Sequence, residues 1–276
     1  MGAVITFTTD FGQTDGYVAA MKGTLLGINP EAVLIDICHS VRPQNIPQAA
    51  FILSTVYEFF PARTVHLVVV DPGVGTERRA IILRTPLADF IAPDNGVLSY
   101  IIRHYAGEQA DSERYLIEQD GNMEAIAITR PEYWHSPVST TFHGRDIFAP
   151  VAAHLSLGTP PSEFGEPVNS LFLLPAAGPE RLPDGTLIGH ILHIDSFGNL
   201  ITDIRGIDLP EGTPNLTVEV LGQSITGISR TYGSGKGLLA LIGSTGHLEI
   251  ALPSGSARSF LNATTGDEVR ITQNCQ

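Results

Sequence analysis

The sequence predicts an α/β domain with a mostly parallel sheet and helices on both faces, followed by a smaller C-terminal antiparallel β domain. Three observations carry this. Apolar runs and helical periods alternate through the first half. Those runs are continuously apolar rather than alternating, as strands covered on both faces are. From Leu187 onward the helical period gives way to short strands separated by turn residues.

Ala3–Thr8 is an apolar run ending in polar Thr9 and Asp10, the first strand, with Gly12–Gly16 as its loop. Val18, Met21, Leu25 and Ile28 then fall at spacings of three and four, one face of a helix that Asn29-Pro30 stops. Val33–Ile37 reads as a second buried strand. Ile46, Ala49, Ala50, Leu53, Val56 and Tyr57 give the next helix, closed by Pro61. Val65–Val70, rich in β-branched residues, is the third strand. Ile81–Leu83 and Phe90-Ile91 read as further strands, Val97–Tyr105 and Ile147–Leu157 as further helices. Ligands of such sheets sit outside the carboxyl ends of the strands, where Asp10 and Asp71 stand.

Pro160, Pro161, Pro167, Pro175, Pro179 and Pro183 interrupt the next stretch, which reads as a linker over residues 159–186 between domains at 1–158 and 187–276. Beyond it, strands are expected at Leu187–Ile194, Leu200–Ile204, Leu216–Leu221, Ile225–Ile228, Leu238–Ile242, Leu248–Leu252 and Glu268–Gln273, forming a small sandwich or barrel with no helix.

Composition narrows the function. Of 276 residues, 43% are hydrophobic and 16% charged, enough for a large core. The 29 acidic and 16 basic residues give a net charge of −13, which argues against non-specific nucleic-acid binding and suits a neutral or cationic ligand. Cys38 and Cys275 make no disulfide framework, and a reducing cytoplasm is the simpler setting. No apolar run reaches the roughly 18 residues of a membrane span, and no secretion signal is expected. Met1–Thr6 fits a loose myristoylation pattern, but Val4, Ile5 and Phe7 read as a core strand.

Thr9-Asp10-Phe11-Gly12-Gln13-Thr14-Asp15 places two carboxylates between strand and helix; Asp15 either caps the helix or meets a ligand, and Asp10 is placed to hold ribose hydroxyls. Asp71-Pro72-Gly73-Val74-Gly75 with Arg78 closes the third strand in a sharp turn, without the lysine and hydroxyl residue of a P-loop. Gly233–Gly237 imitates a P-loop fragment but reads as a flexible loop. Phe142-His143-Gly144-Arg145-Asp146 brings imidazole, guanidinium and carboxylate to a helix start, where Asp146 is expected to cap. No spacing of a metal site accompanies them, so no metal is expected. Asp195-Ser196-Phe197-Gly198-Asn199 is an Asp/Asn turn with an odd exposed aromatic, suited to stacking and edge-reading a purine.

Together with Cys38-His39-Ser40 and Ala92-Pro93-Asp94-Asn95-Gly96, these blocks run nearly end to end in the order of a known family. The chain resembles the S-adenosyl-L-methionine hydroxide adenosyltransferases, relatives of the fluorinase and chlorinase. The resemblance implies an α/β domain plus a β-barrel, a homotrimer with sites between neighbouring subunits, S-adenosylmethionine as substrate and no cofactor. By the same resemblance, Asp10 holds the ribose, Phe197 and Tyr232 sandwich the adenine, and Asn199 reads its edge. Asp195 and Ser244 grip the methionine, with Asp15 assisting.

Departures from the halogenases set the branch. Asp71 stands where they carry a tyrosine, Gly144 where the fluorinase has a halide-contacting serine, and the fluorinase insertion is absent. Tyr17 and Gln44 replace a serine and a tryptophan of its substrate pocket. Asp71, Arg78 and His143 match the hydrolase branch's catalytic set. The expected reaction is in-line attack of water on C5′, giving adenosine and methionine. Asp71 and His143 are expected to orient the water and accept its proton, and Arg78 to favour the anion. A non-catalytic sensor and halide-dependent adenosyl transfer are the competing readings.

Overall fold

The computed structural model describes residues 2–106, 113–117, 121–176, 178–210 and 215–273, so Cys275 lies outside the described residues. The chain divides into two compact units, Met1–Pro175 and Ala176–Gln276.

The first unit contains, in order, β1 (Val4–Thr9), α1 (Tyr17–Ile28), β2 (Val33–Cys38), α2 (Ile46–Ser54), β3 (Val65–Val69), β4 (Ala80–Arg84), β5 (Asp89–Pro93), α3 (Ser99–Ala106), β6 (Arg114–Leu116), β7 (Glu124–Ala127), α4 (Ala149–Ser156) and β8 (Ser170–Phe172). Its main sheet runs β2-β1-β3-β5-β4-β7. The first four of these strands are parallel, while β4 pairs antiparallel with both β5 and β7. Two apolar clusters cover opposite faces. One contains Leu53, Val68, Phe90 and Ile101, the other Phe7, Met21, Leu67 and Phe148. Successive residues of a strand point to opposite faces, so Leu67 and Val68 enter different clusters, and a strand serving both must be apolar throughout.

β2 departs from expectation. It is the edge strand, and Val33 is 45% exposed rather than buried. The expected linker also differs. Phe164 is fully buried in one cluster and Leu171 in the other, and β8 pairs with β6, so residues 161–173 belong to the first unit. Proline interrupts a helical period without preventing burial, and that misleads a reading from periodicity.

The second unit holds β9 (Glu180–Arg181), β10 (Leu187–Ile194), β11 (Leu200–Arg205), β12 (Leu216–Val220), β13 (Gln223–Thr226), β14 (Leu239–Ile242), β15 (His247–Ala251), α5 (Ala257–Leu261) and β16 (Glu268–Gln273). The sheet order is β13-β12-β16-β10-β11-β15-β14, with β9 beside β10. A bridge between Ser229 and Leu241 brings its two ends toward closure, a nearly closed barrel around Ile204, Val218, Leu248 and Val269. α5 is a helix that the period did not predict; its five residues are too short to show one, and Ser256 caps it by accepting from Ser259 N.

Candidate active site

β3 ends at Val69 and the chain turns sharply. Val74 N donates to Asp71 O, and Thr76 N to Gly73 O, which folds Arg78 back over Asp71. Arg78 Nε lies 2.9 Å from both Asp71 carboxylate oxygens, and Arg78 Nη2 also donates to Oδ2. The Asp71 side chain is only 5% exposed. The guanidinium also lies over Phe148, 5.3 Å from its ring centre.

His143 stands just before an irregular turn, Gly144–Phe148, that leads into α4. Its Nδ1 is 3.0 Å from Arg78 Nη2. Thus the structure brings Asp71, Arg78 and His143 into one chain of contacts. The contact also fixes a tautomer. A guanidinium nitrogen only donates, so Nδ1 accepts and the neutral ring carries its proton on Nε2. Burial lowers the His143 pKa, and the nearby Arg78 charge lowers it further, against opposing contributions from Asp71 and Asp146. A neutral ring with Nδ1 occupied and Nε2 protonated has no free lone pair for a proton. As arranged, the His143 ring is a hydrogen-bond donor through Nε2.

Supports hold the loop at both ends. Asn95 Nδ2 donates to Val70 O at 2.9 Å, immediately before Asp71. Asp94 accepts from Arg79 Nε at 3.0 Å, immediately after Arg78. Gly75, at φ +76°, lies against the segment before His143: a Cβ there would stand 2.4 Å from Thr140 O.

Asp10 Oδ2 accepts from Gln44 N at 2.7 Å, and Oδ1 has no hydrogen-bond partner among the described residues. His39 steadies this loop. Its Nδ1 is 2.9 Å from Thr9 Oγ1, and its carbonyl accepts from Gly12 N. Asp10, Asp71 and His143 line one cleft of about 390 Å³, together with Phe11, Tyr17 and Phe142. Asp15 does not line it; it is exposed. It does not cap α1 either, because the capping position is Gly16 and carries no side-chain bond. Asp146 likewise does not cap α4. It is fully buried, accepting from Ser139 N at 2.8 Å and Arg145 Nε at 2.6 Å. Burial alone would raise its pKa, but these donors outweigh it and the net shift is downward.

The second unit has its own group. Asp195 Oδ1 accepts from Phe197 N and Asn199 N, and Oδ2 from Asn199 Nδ2, each at 2.9 Å. The turn and the odd aromatic are both present: Phe197 is 76% exposed on a loop that Asp195 pins. Asn199 donates one N–H of its amide here, which leaves Oδ1 as an acceptor for a ligand. Tyr232 is half exposed and donates to Glu249 Oε2 at 2.7 Å. That bond, with burial and the charges of Glu249 and Asp195, pushes its pKa up to about 12. Glu249 itself packs against Gly243, next to exposed Ser244. The loop through Gly233–Gly237 is exposed throughout, and its only regular piece among the described residues is a short turn at Tyr232–Ser234. Sequence reasoning missed Glu249, a lone acid on a barrel strand, and His39, one histidine among nine.

Residues 5–165 match the model of the SAM hydroxide adenosyltransferase N-terminal domain, and residues 189–270 that of the C-terminal domain. The chain belongs to this family. An (R)-S-adenosyl-L-methionine hydrolase of Salinispora arenicola is 36% identical over 272 residues, covering 97% of each chain. A fluorinase of Nocardia brasiliensis is 26% identical over 303 residues, 97% of this chain and 96% of that one. A crystal structure from Thermotoga maritima, described as an uncharacterized conserved protein, superposes with a TM-score of 0.85 at 35% identity, covering 98% of this chain and 100% of that one. The chain thus lies nearer in sequence to that hydrolase than to that fluorinase. Among the described residues, no helix is long and apolar enough to cross a membrane.

Proposed function

We propose that the protein hydrolyses S-adenosyl-L-methionine to adenosine and L-methionine, with Asp71, Arg78 and His143 as its catalytic group. The observation that carries this is the contact of those three side chains beside a cleft that Asp10 also lines. The hydrolases named among its relatives support the substrate.

The chemistry explains why so few groups suffice. Water attacks C5′ as the C5′–S bond breaks, with the electron pair going to sulfur. Methionine leaves as a neutral thioether, so no general acid, metal or cofactor is required. The water becomes strongly acidic as its oxygen bonds carbon, so a carboxylate is a sufficient acceptor for its proton. Asp71 takes this role. Arg78 fixes the carboxylate and, through Nδ1, the His143 ring, whose Nε2–H orients the water. Holding that oxygen in line at about 3–3.5 Å supplies several kcal/mol.

Asp10 binds the ribose through its free Oδ1. In the second unit Phe197 and Tyr232 flank the adenine, and Asn199 Oδ1 accepts from its amino group. Asp195 keeps one lone-pair site on Oδ2, and with Ser244 it meets the methionine amino acid; Asp15 assists. We extend the proposal to a cytoplasmic homotrimer with sites shared between neighbouring copies, and to preference for the (R)-sulfonium epimer that names the relatives.

Incubating the pure protein with each epimer, with and without chloride, tests this. Adenosine in both conditions is expected, faster from the (R) epimer. 5′-Chloroadenosine, or ligand recovered intact, would replace hydrolysis with halide transfer or sensing.

A further inference from the structure

Three aromatic rings form one wall of the cleft that holds Asp71 and His143. Phe11 and Tyr17 lie 5.8 Å apart, Phe11 and Phe142 5.9 Å, and Tyr17 and Phe142 5.2 Å with planes at 87°. The two pairs that include Phe142 are edge-to-face and Phe11–Tyr17 is tilted at 52°, which holds the rings in mutually preferred orientations. Tyr17 nevertheless remains 50% exposed, an aromatic surface open to the cleft rather than buried in the core.

Two observations say what this wall accepts. Arg145 already places its guanidinium 5.1 Å from the Phe142 ring centre, so the cluster accommodates a cation. Of the two charged side chains lining the cleft, Asp71 is paired with Arg78, while Asp10 accepts only from a backbone N–H among the described residues and supplies the unpaired negative charge. Aromatic faces beside carboxylates form the environment that recognises organic cations lacking a hydrogen-bond donor. A sulfonium is such a cation. It has no N–H or O–H to donate, so hydrogen bonding cannot single it out, but ring quadrupoles beside a carboxylate can.

We propose that Phe11, Tyr17 and Phe142 form a seat for the sulfonium charge and select the cation over the neutral thioether. This rests on the hydrolase reading and adds a kinetic consequence. The positive charge leaves sulfur as the C5′–S bond breaks, so the seat holds the bound substrate more tightly than the transition state. Interactions of that kind lower KM without raising kcat. They also weaken once the charge is gone, which favours release of methionine.

The test compares S-adenosyl-L-methionine with S-adenosyl-L-homocysteine, its neutral thioether counterpart. Tyr17→Leu should raise KM for the sulfonium roughly three- to thirtyfold. It should leave kcat undiminished and hardly alter the inhibition constant of the thioether. Tyr17→Phe keeps the π face and should restore the ratio, and Phe11→Leu provides an independent second variant. Equal weakening of both ligands in the leucine variants would overturn the seat, because lost packing rather than lost charge recognition would explain it. If the wild-type protein formed no adenosine, the hydrolase reading would fall separately. Calorimetric affinities for the same two ligands would still decide the seat, and an unchanged ratio between wild type and Tyr17→Leu would refute it.

Discussion

Asp71 shares one guanidinium's hydrogen bonds between its two oxygens, and Arg78 passes a further contact to His143. Asp71→Asn keeps the shape but removes the negative charge and the proton acceptor, so adenosine formation should fall by about 10²–10⁴ in a steady-state assay. In the proposed mechanism His143 works neutral. Its pKa is lowered in the fold, so kcat/KM should hold steady above pH about 6.5 and fall only in more acid solution, when Nδ1 gains a proton and turns against Arg78. His143→Gln offers an acceptor and a donor without titrating. It should lose this acid limb and retain more activity than His143→Ala; equal loss in both would return His143 to the role of base. The residue types were legible in the sequence, since an acid after a strand and a His-Gly-Arg-Asp block are visible there. The tautomer was not, because it depends on a contact across 65 positions.

At the scale of elements, the proposed catalytic residues are only as well placed as the loop that carries two of them. Asn95→Ala leaves the buried Val70 carbonyl unpaired, a loss of about 1–3 kcal/mol. The melting temperature should drop accordingly, and kcat should fall with it because Asp71 follows directly. Gly75→Ala should be worse for its size. It forces a side chain into positive φ and against Thr140 O, separating the Asp71 loop from the His143 segment, at a cost above about 1 kcal/mol. Regular elements were readable where a period persisted. Helix α1 and strands β10 and β16 lie where the pattern places them. The missed elements share a cause: β6, β7, β8, β9 and α5 have five residues or fewer, too short for a period to emerge. The exposure of β2 follows from its place at the sheet edge, a matter of strand order that its own apolar residues do not reveal.

For the molecule as a whole, the first unit carries an acid-sensitive element that does not line the cleft. His66 is fully buried on β3, with Nδ1 2.8 Å from Thr6 Oγ1 and its ring stacked on Phe90. Burial pushes its pKa down to about 4. The unfolded chain therefore takes up a proton below about pH 6.5 that the fold refuses until about 4, and stability falls as pH drops through this window, by at most about 3 kcal/mol. His66→Gln should flatten that slope in urea titrations at pH 7 and pH 5. If the proposed homotrimer forms, light scattering will return three times the chain mass. The central claim concerns which bond water makes, and hydrolysis in H₂¹⁸O reads it directly. Attack at C5′ places the label in the 5′-hydroxyl of adenosine and none in methionine. Unlabelled adenosine, or label carried by the methionine fragment, would contradict it.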